Sequence, residues 1–440
     1  MKRWILLCLL IFAAVAAFSG CSMRTVDQMY SPPKRSEQYD NLQSAIDTAL
    51  VGKEYCAPIS GENQQTIQQA DIDGDGTAEY LLFAKTNSEK PLNILIFKQI
   101  NNEFQLVQTI ESGGTAFDRV EYVQMDGIDG VEIVVGMQVS DQVQRSAAVY
   151  SFSDGMAKLL VSANYSHFLT VDLDGNSASE LLVLHPGDGE QDNGVAVLYG
   201  MKDGFVERSN EVNLSRPIDM LKRVITGKLH GGLPAVFVAS AVDESTIITD
   251  VYAMVQDVFV NISLSNEGGT GIQTMRNYYV YADDIDDDGE VELPFVNTVG
   301  EPSQQSPQDK HHMIRWYALR PDGSEVDKMY TFHNFSAGWY LQLDAGWADR
   351  ITVSRDKEAF DFYLRSADGD TYEKVFTVYA FTGKDRETQA VSDNRFVLYK
   401  GESAVYAAYL EVASAAIDIT KDDLINGFRP IRQDWKTGET

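Results

Sequence analysis

The stretch Asp71-Ile72-Asp73-Gly74-Asp75-Gly76-Thr77-Ala78-Glu79, running straight into Tyr80-Leu81-Leu82-Phe83, decides how this chain is read. Asp71, Asp73, Asp75 and Glu79 each offer side-chain oxygen. Alternate residues around a tight loop point the same way, so the three aspartates converge on one point and Glu79 closes the shell from the start of a strand. Gly74 and Gly76 allow the backbone angles that such a bend needs. Without a cation the carboxylates repel one another. Hard oxygen donors in this number suit Ca²⁺, which takes 6–8 oxygens at about 2.3–2.6 Å.

The stretch recurs. Asp172, Asp174, Asn176 and Glu180 hold the same places before Leu181-Leu182-Val183-Leu184, and Asp284, Asp286, Asp288 and Glu292 hold them before Leu293-Pro294-Phe295-Val296. A weaker copy, 124–132, keeps Asp126 and Glu132 and leads into Ile133-Val134-Val135. A degenerate copy, 227–235, has lost every carboxylate but still leads into Val236-Phe237-Val238, and reads as structural only. The copies start at 71, 124, 172, 227 and 284, intervals of 53, 48, 55 and 57 residues. About 30 residues after each start stands a turn dipeptide between apolar runs: Asn101-Asn102, Asp154-Gly155, Asp203-Gly204, Gln256-Asp257 and Asp322-Gly323. Such dipeptides mark β-hairpins. Each unit is therefore an acidic loop, a strand and a hairpin, and short antiparallel units of about 50 residues suit propeller blades.

The pattern D-x-D-G-D-G-x-x-E before an apolar strand resembles the FG-GAP/VCBS repeats of β-propellers, including the calcium-binding blades of integrin α chains. The resemblance covers residues 57–335. It implies a mainly β fold with five recognisable blades, in a family whose propellers often have six or seven. It also implies calcium that stiffens the loops at Asp71, Asp73, Asp75 and Glu79, at Asp172, Asp174, Asn176 and Glu180, and at Asp284, Asp286, Asp288 and Glu292. A dockerin reading fails, because dockerin loops lead into helices and these lead into β-branched or aromatic runs.

Residues 336–440 read as a small α+β domain. Five strand-like runs (351–353, 360–364, 375–381, 396–399 and 405–410) precede Thr420 and Asp423, an N-cap and its capping acid. Leu424, Phe428, Ile431 and Trp435 then follow at helical spacing, with a break expected near Gly427 because Pro430 cannot sit inside a helix. Asp368-Gly369 leaves a sixth blade as the alternative. In the segment 39–56, Leu42, Ala45, Ile46, Ala49 and Leu50 form a helical stripe that packs on the propeller.

The leader is legible in residues 1–20. Lys2 and Arg3 precede an apolar run from Ile5 to Phe18 that is shorter than the ~20 residues of a membrane span, as in a signal peptide. It ends in Phe18-Ser19-Gly20-Cys21, similar to the lipobox of bacterial lipoproteins, with Phe18 where that family usually has Leu. The resemblance implies lipidation of Cys21, a polar tether over 21–38, and a location outside the cytoplasm on a bacterial membrane. Loss of Lys2 and Arg3 takes the formal charge of the 440-residue chain from −29 to −31. With Cys8 removed and Cys21 lipidated, only Cys56 remains, so no internal disulfide forms.

Composition narrows function further. Acidic residues outnumber basic ones 65 to 36, which excludes nucleic acid and anionic membrane surfaces as direct partners. No nucleophile elbow, zinc-protease helix, phosphate loop or Cys-x-x-Cys pair is present, so the chain does not read as an enzyme. Trp316, Tyr317, Trp339, Tyr340 and Trp347 are candidates for stacking on sugars, against a plain core role. The leading expectation is a lipid-anchored binding or adhesion protein presenting calcium-stiffened loops to a glycan or protein. A structural or accessory component of a cell-envelope complex is the alternative, and a polysaccharide-processing enzyme is a third class.

Overall fold

The computed structural model describes residues 37–139, 145–187, 192–202, 204–264, 271–277, 280–299, 311–348, 350–357, 359–366 and 371–431. The leader, Cys21, the tether up to residue 36, Asp203, Asp368-Gly369 and Trp435 lie outside them. Among the described residues the fold is mainly β, and its 28 strands pair antiparallel in six sheets.

After helix α1 (Glu37–Ala49), the first sheet comprises β1 (Glu54–Tyr55), β2 (Ile67–Ala70), β3 (Glu79–Lys85), β4 (Leu92–Ile100) and β5 (Glu103–Ser112). The second holds β6 (Ala116–Val123), β7 (Glu132–Gln138), β8 (Arg145–Ser153) and β9 (Met156–Tyr165). The third holds β10 (His167–Val171), β11 (Glu180–His185), β12 (Val195–Lys202), β13 (Phe205–Arg208) and the short β14 (Val212–Asn213). The fourth is β15 (Leu221–Lys228), β16 (Pro234–Ala241), β17 (Ile247–Val255) and β18 (Val258–Asn261). The fifth is β19 (Leu293–Val299), β20 (His311–Leu319), β21 (Glu325–Asn334) and β22 (Trp339–Leu343). Helix α2 (Ala345–Ala348) leads to the sixth, built from β23 (Ile351–Asp356), β24 (Ala359–Arg365), β25 (Tyr372–Thr382), β26 (Phe396–Lys400) and β27 (Ala404–Leu410), with α3 (Arg386–Val391) between β25 and β26.

The apolar runs after the loops at 71, 124, 172 and 227 are strands inside their sheets, while the run after the loop at 284, β19, is the edge strand of the fifth. Alternate side chains on a strand face opposite ways, and here both faces are covered. Leu81 and Phe83 of β3 pack with Ile133 and Val135 of β7, while Leu82 and Ala84 pack under Leu42 and Ile46 of α1. Val134 turns the other way, onto Leu181 and Val183 of β11. Leu182 and Leu184 meet Val236 and Val238, and Phe237 meets Leu293. Two-faced burial explains why these strands read as unbroken hydrophobic runs. Consecutive sheets therefore stack face to face, one to six. Helix α1 covers the free face of the first, as its stripe predicted, and α3 packs Ala390 against Phe381 and Val405 of the sixth. Among the described residues no core cluster joins the first sheet to the sixth.

Three of the five turn dipeptides show the expected backbone, while Asp203 lies outside the described residues and in Asp322-Gly323 only the glycine has positive φ. Asn101 and Asn102, Asp154 and Gly155, and Gln256 and Asp257 all have positive φ, as a two-residue type I′ hairpin requires. The five strand-like runs after residue 350 are the strands of the sixth sheet.

The end of the chain follows the sequence reading as far as Gly427 and departs from it afterwards. Thr420 and Asp423 form a capping box on α4 (Lys421–Gly427), and the helix ends at Gly427, at the break that Pro430 predicts. Phe428 begins β28 (Phe428–Pro430), which pairs with β22 of the fifth sheet, and Ile431 N–H donates to the Gly338 carbonyl. Gly427 packs so closely that a Cβ would lie 3.2 Å from the Gln342 carbonyl oxygen. Met313, Phe332, Trp339 and Leu341 of the fifth sheet share one cluster with Val353, Phe362, Phe376, Leu424 and Phe428. The strands after residue 350 are thus a sixth sheet seated on the fifth through a common core.

Candidate metal centres

The acidic loops lead into β3, β7, β11 and β19, and in each the ninth residue does the same structural task. Oε2 of Glu79 accepts from the Ile72 amide at 3.1 Å, that of Glu132 from Met125 at 2.8 Å, that of Glu180 from Leu173 at 2.8 Å, and that of Glu292 from Ile285 at 3.1 Å. All four glutamates are buried. The first aspartate closes the turn, since Asp71 accepts from the Gly74 and Gly76 amides, Asp172 from Gly175 and Ser177, and Asp284 from Asp288 and Gly289. In the weaker copy Gln124 takes this place and accepts from Gly127. The loop shape is thus written in side chains that bind the loop's own backbone.

Carboxylate oxygens of Asp71, Asp73 and Glu79 lie within 4.8 Å of one another, as do those of Asp172, Asp174 and Glu180, and those of Asp284, Asp286 and Glu292. A second set, Asp288, Glu290 and Glu292, overlaps the last. Asp75 stands outside the first triad, with Oδ1 accepting from Thr77. Asn176 bonds the Asp174 carboxylate through Nδ2 at 2.9 Å. The fit to a metal rests on donor chemistry and on buried oxygens left over. Oε1 of Glu292 is buried with no hydrogen-bond donor, and an acceptor kept from water needs a partner; the equally buried Oε1 of Glu79 has the Lys98 ammonium 3.5 Å away. These triads can hold a metal ion.

Electrostatics agree. Burial pushes the carboxyls of Glu132 and Glu180 up to about 7 and that of Glu292 up to about 8, with their amide donors opposing. Glu79 is raised by burial too, and Asp286 is raised by burial with Asp288 beside it.

Sequence reasoning missed two lysines. Lys98 of β4 places its ammonium on Asp73, 2.8 Å from Asp75 Oδ2 and 3.5 Å from Glu79 Oε1. Lys328 of β21 sits 2.6 Å from Asp288 Oδ2 and 2.7 Å from Glu290 Oε2. Among the described residues no lysine or arginine pairs with Asp172, Asp174 or Glu180. Sequence distance hid both lysines, although Lys98 stands three residues before the Asn101-Asn102 turn, at the loop end of its hairpin.

The degenerate loop also gains a role. The His230 ring lies 2.9 Å from Glu290 Oε2, and the Gly231 amide donates to Glu290 Oε1 at 2.9 Å. It props the next loop. The Ser179 amide donates to the Gln124 carbonyl at 2.6 Å. Gly74, at φ +72°, packs against the Asp129 backbone so closely that any Cβ would collide with it. Neighbouring loops thus touch along one end of the stack.

The aromatic candidates are placed differently from a sugar platform. Trp316, Tyr317 and Trp339 are buried in the core, and Tyr340 stacks on the buried His333. The side chain of Trp347 lies outside the described residues. Cys56 is a half-buried free thiol. No described helix is long and apolar enough to cross a membrane. A cleft of about 750 Å³ opens between β21, β22 and α4, lined by Asp327, Tyr330, Asp344, Asp418 and Asp423 among others.

No family model matches the chain. No curated protein matches it either. Among solved structures, an exotype rhamnogalacturonan lyase, YesX, is 12% identical with a TM-score of 0.28, covering 81% of this chain and 72% of that one. The rhamnogalacturonan lyase YesW is 13% identical at TM-score 0.28, covering 73% and 72%. A protein from Lactobacillus plantarum is 10% identical at TM-score 0.25, covering 72% and 85%. At these TM-scores the likeness carries no argument about what this chain does.

Proposed function

We propose that the chain is a lipid-anchored, extracytoplasmic binding protein and not an enzyme. Its sheets are propeller-type blades, its acidic loops hold calcium, and it presents one end of the stack to a ligand. Cys21 carries the lipid, and residues 21–38 tether the blades to the membrane.

The observation that carries this reading is the composition of one end of the stack. In an antiparallel meander the start of one strand and the end of the next fall at the same end, so the acidic loops, which lead into β3, β7, β11 and β19, share it with the hairpin turns that follow β4, β8, β12 and β20. Three acidic triads lie there. Exposed apolar residues lie beside them: Ile128 in the second loop, and Met156, Phe205 and Val258 directly after their hairpin turns. We read these exposed apolar groups, brought to one end by successive sheets, as parts of one interaction surface. Calcium in the loops would stiffen that surface, and extracellular modules of this kind bind calcium at about 10⁻⁴–10⁻³ M. Burial of Trp316, Tyr317 and Trp339 takes away the sequence feature that favoured sugar stacking and leaves a protein ligand the better supported.

The test is retention of the purified protein on whole cell-envelope preparations, in calcium and in chelator, beside Met156→Ser and Phe205→Ser. Loss of retention in chelator and in both variants is expected. Equal retention in all four cases overturns the reading. Separately, Cys21→Ser should move the protein from the detergent phase to the aqueous phase.

A further inference from the structure

The loops resemble one another in sequence but differ in what faces them. The strand register makes the comparison direct. Tyr80 pairs with Phe97, so Glu79 faces Lys98 across β3 and β4. Leu181 pairs with Tyr199, so the place of Lys98 falls in the third sheet to Gly200, which faces Glu180. A Cβ on Gly200 would lie 3.1 Å from Glu180 Cγ, which places that position directly over the triad glutamate. Leu293 pairs with Tyr317, so in the fifth sheet the place falls to Ala318. There the lysine comes from the next strand, as Lys328, and reaches only the outer carboxylates Asp288 and Glu290.

We propose that the first loop is a lysine-clamped one: the Lys98 ammonium stands where a divalent cation would be held by Asp71, Asp73 and Glu79, so that calcium enters only the loops at 172 and 284. The proposal rests on the calcium reading above and adds to it which loops bind. Several observations carry it. The Lys98 ammonium touches Asp73 and Asp75 and lies 3.5 Å from the buried Glu79 Oε1, so the inner oxygens already have a cation. The third loop has a glycine where that lysine would be, and Oε2 of Glu180 accepts from the Leu173 amide as in the other loops. The fifth keeps the inner set Asp284, Asp286 and Glu292, with Glu292 Oε1 buried and without a donor. One strand position therefore decides whether the loop is neutralised by the chain itself or by an ion.

Calcium titration of the full chain by calorimetry tests this, with Lys98→Met and Gly200→Lys beside the unaltered protein. The unaltered protein should bind two ions. Lys98→Met should bind a third, because it removes the ammonium that stands in the ion's place and leaves the oxygen donors free to take calcium. Gly200→Lys should bind one. Should Lys98→Met fold poorly in chelator, calcium should restore its melt, which a loop closed to metal could not do. Three ions in the unaltered protein with no change in Lys98→Met would overturn the clamp and leave the calcium reading standing. No binding in any of the three would overturn both.

Discussion

Glu132 isolates the structural task of the loop glutamates from metal, because its loop has Gln124 in place of the first aspartate. Its carboxylate is 5% exposed and accepts from the Met125 amide, itself buried, at 2.8 Å. Two substitutions separate charge from hydrogen bond. Glu132→Ala removes the acceptor and leaves a buried amide unmet, a loss of about 1–3 kcal/mol. Glu132→Gln keeps an acceptor oxygen and removes only the charge. Burial raises the folded carboxyl from 4.5 to about 7. A raised folded value means the folded state holds its proton longer than the unfolded one. The associated stability is therefore complete below about pH 4.5 and lost as pH rises through about 7. At ~1.4 kcal/mol for each pH unit in that interval, the buried charge costs on the order of 3 kcal/mol above pH 7. Urea unfolding in chelator at pH 5 and pH 8, with exchange of the Met125 amide followed in parallel, reads both effects. Glu132→Gln should match the unaltered protein near pH 5 and exceed it at pH 8, while Glu132→Ala should fall below Glu132→Gln at both. If the two variants unfold alike at both pH values, the glutamate-to-amide tie is not what holds the loop.

Other consequences are equally direct. His333 is buried, and burial, with His312 nearby, lowers its imidazole to about 3. A depressed histidine value means the unfolded chain takes the proton first, so stability should fall as pH drops from about 6.5 towards 3. The urea midpoint of His333→Phe should fall less over that range. Phe362 is fully buried between Phe332 and Phe376. Phe362→Ala should destabilise by about 3–5 kcal/mol and raise hydrogen exchange in both β22 and β28, whereas a self-contained sixth sheet would leave β22 protected. Glu290→Ala removes the acceptor of both His230 and Gly231, so it should speed exchange of the Gly231 amide as well as weaken the fifth loop, and unchanged exchange would deny that the two loops support each other.

Much of this was legible in the chain because it depends on local chemistry. The loops are built from side chains bonding amides two to seven residues away, so their spacing cannot vary: Asp71 to Gly74 and Gly76, Glu79 to Ile72. The hairpins were legible for the same reason, since Asn101-Asn102 can take positive φ where most residues cannot. What stayed hidden is non-local. Lys98 lies 25 residues from Asp73 and Lys328 lies 40 from Asp288, and only strand register brings them together. The helical spacing of Leu424, Phe428 and Ile431 misled because pairing with β22 overrides it after Gly427. The sixth sheet was read strand by strand, yet its seat on Trp339 and Phe332 is a tertiary fact that no local pattern carries.

The most direct test of the account is a thermal melt of the protein in 10 mM calcium and again in excess chelator. At affinities of about 10⁻⁴–10⁻³ M, each occupied loop adds about 1.4–2.7 kcal/mol at that concentration. The melting temperature should rise by several degrees in calcium, and the rise should shrink in Asp172→Ala and again in Asp284→Ala. Superimposable melts in calcium and chelator would contradict it, and would make the acidic loops turns that close on their own amides and hold no ion.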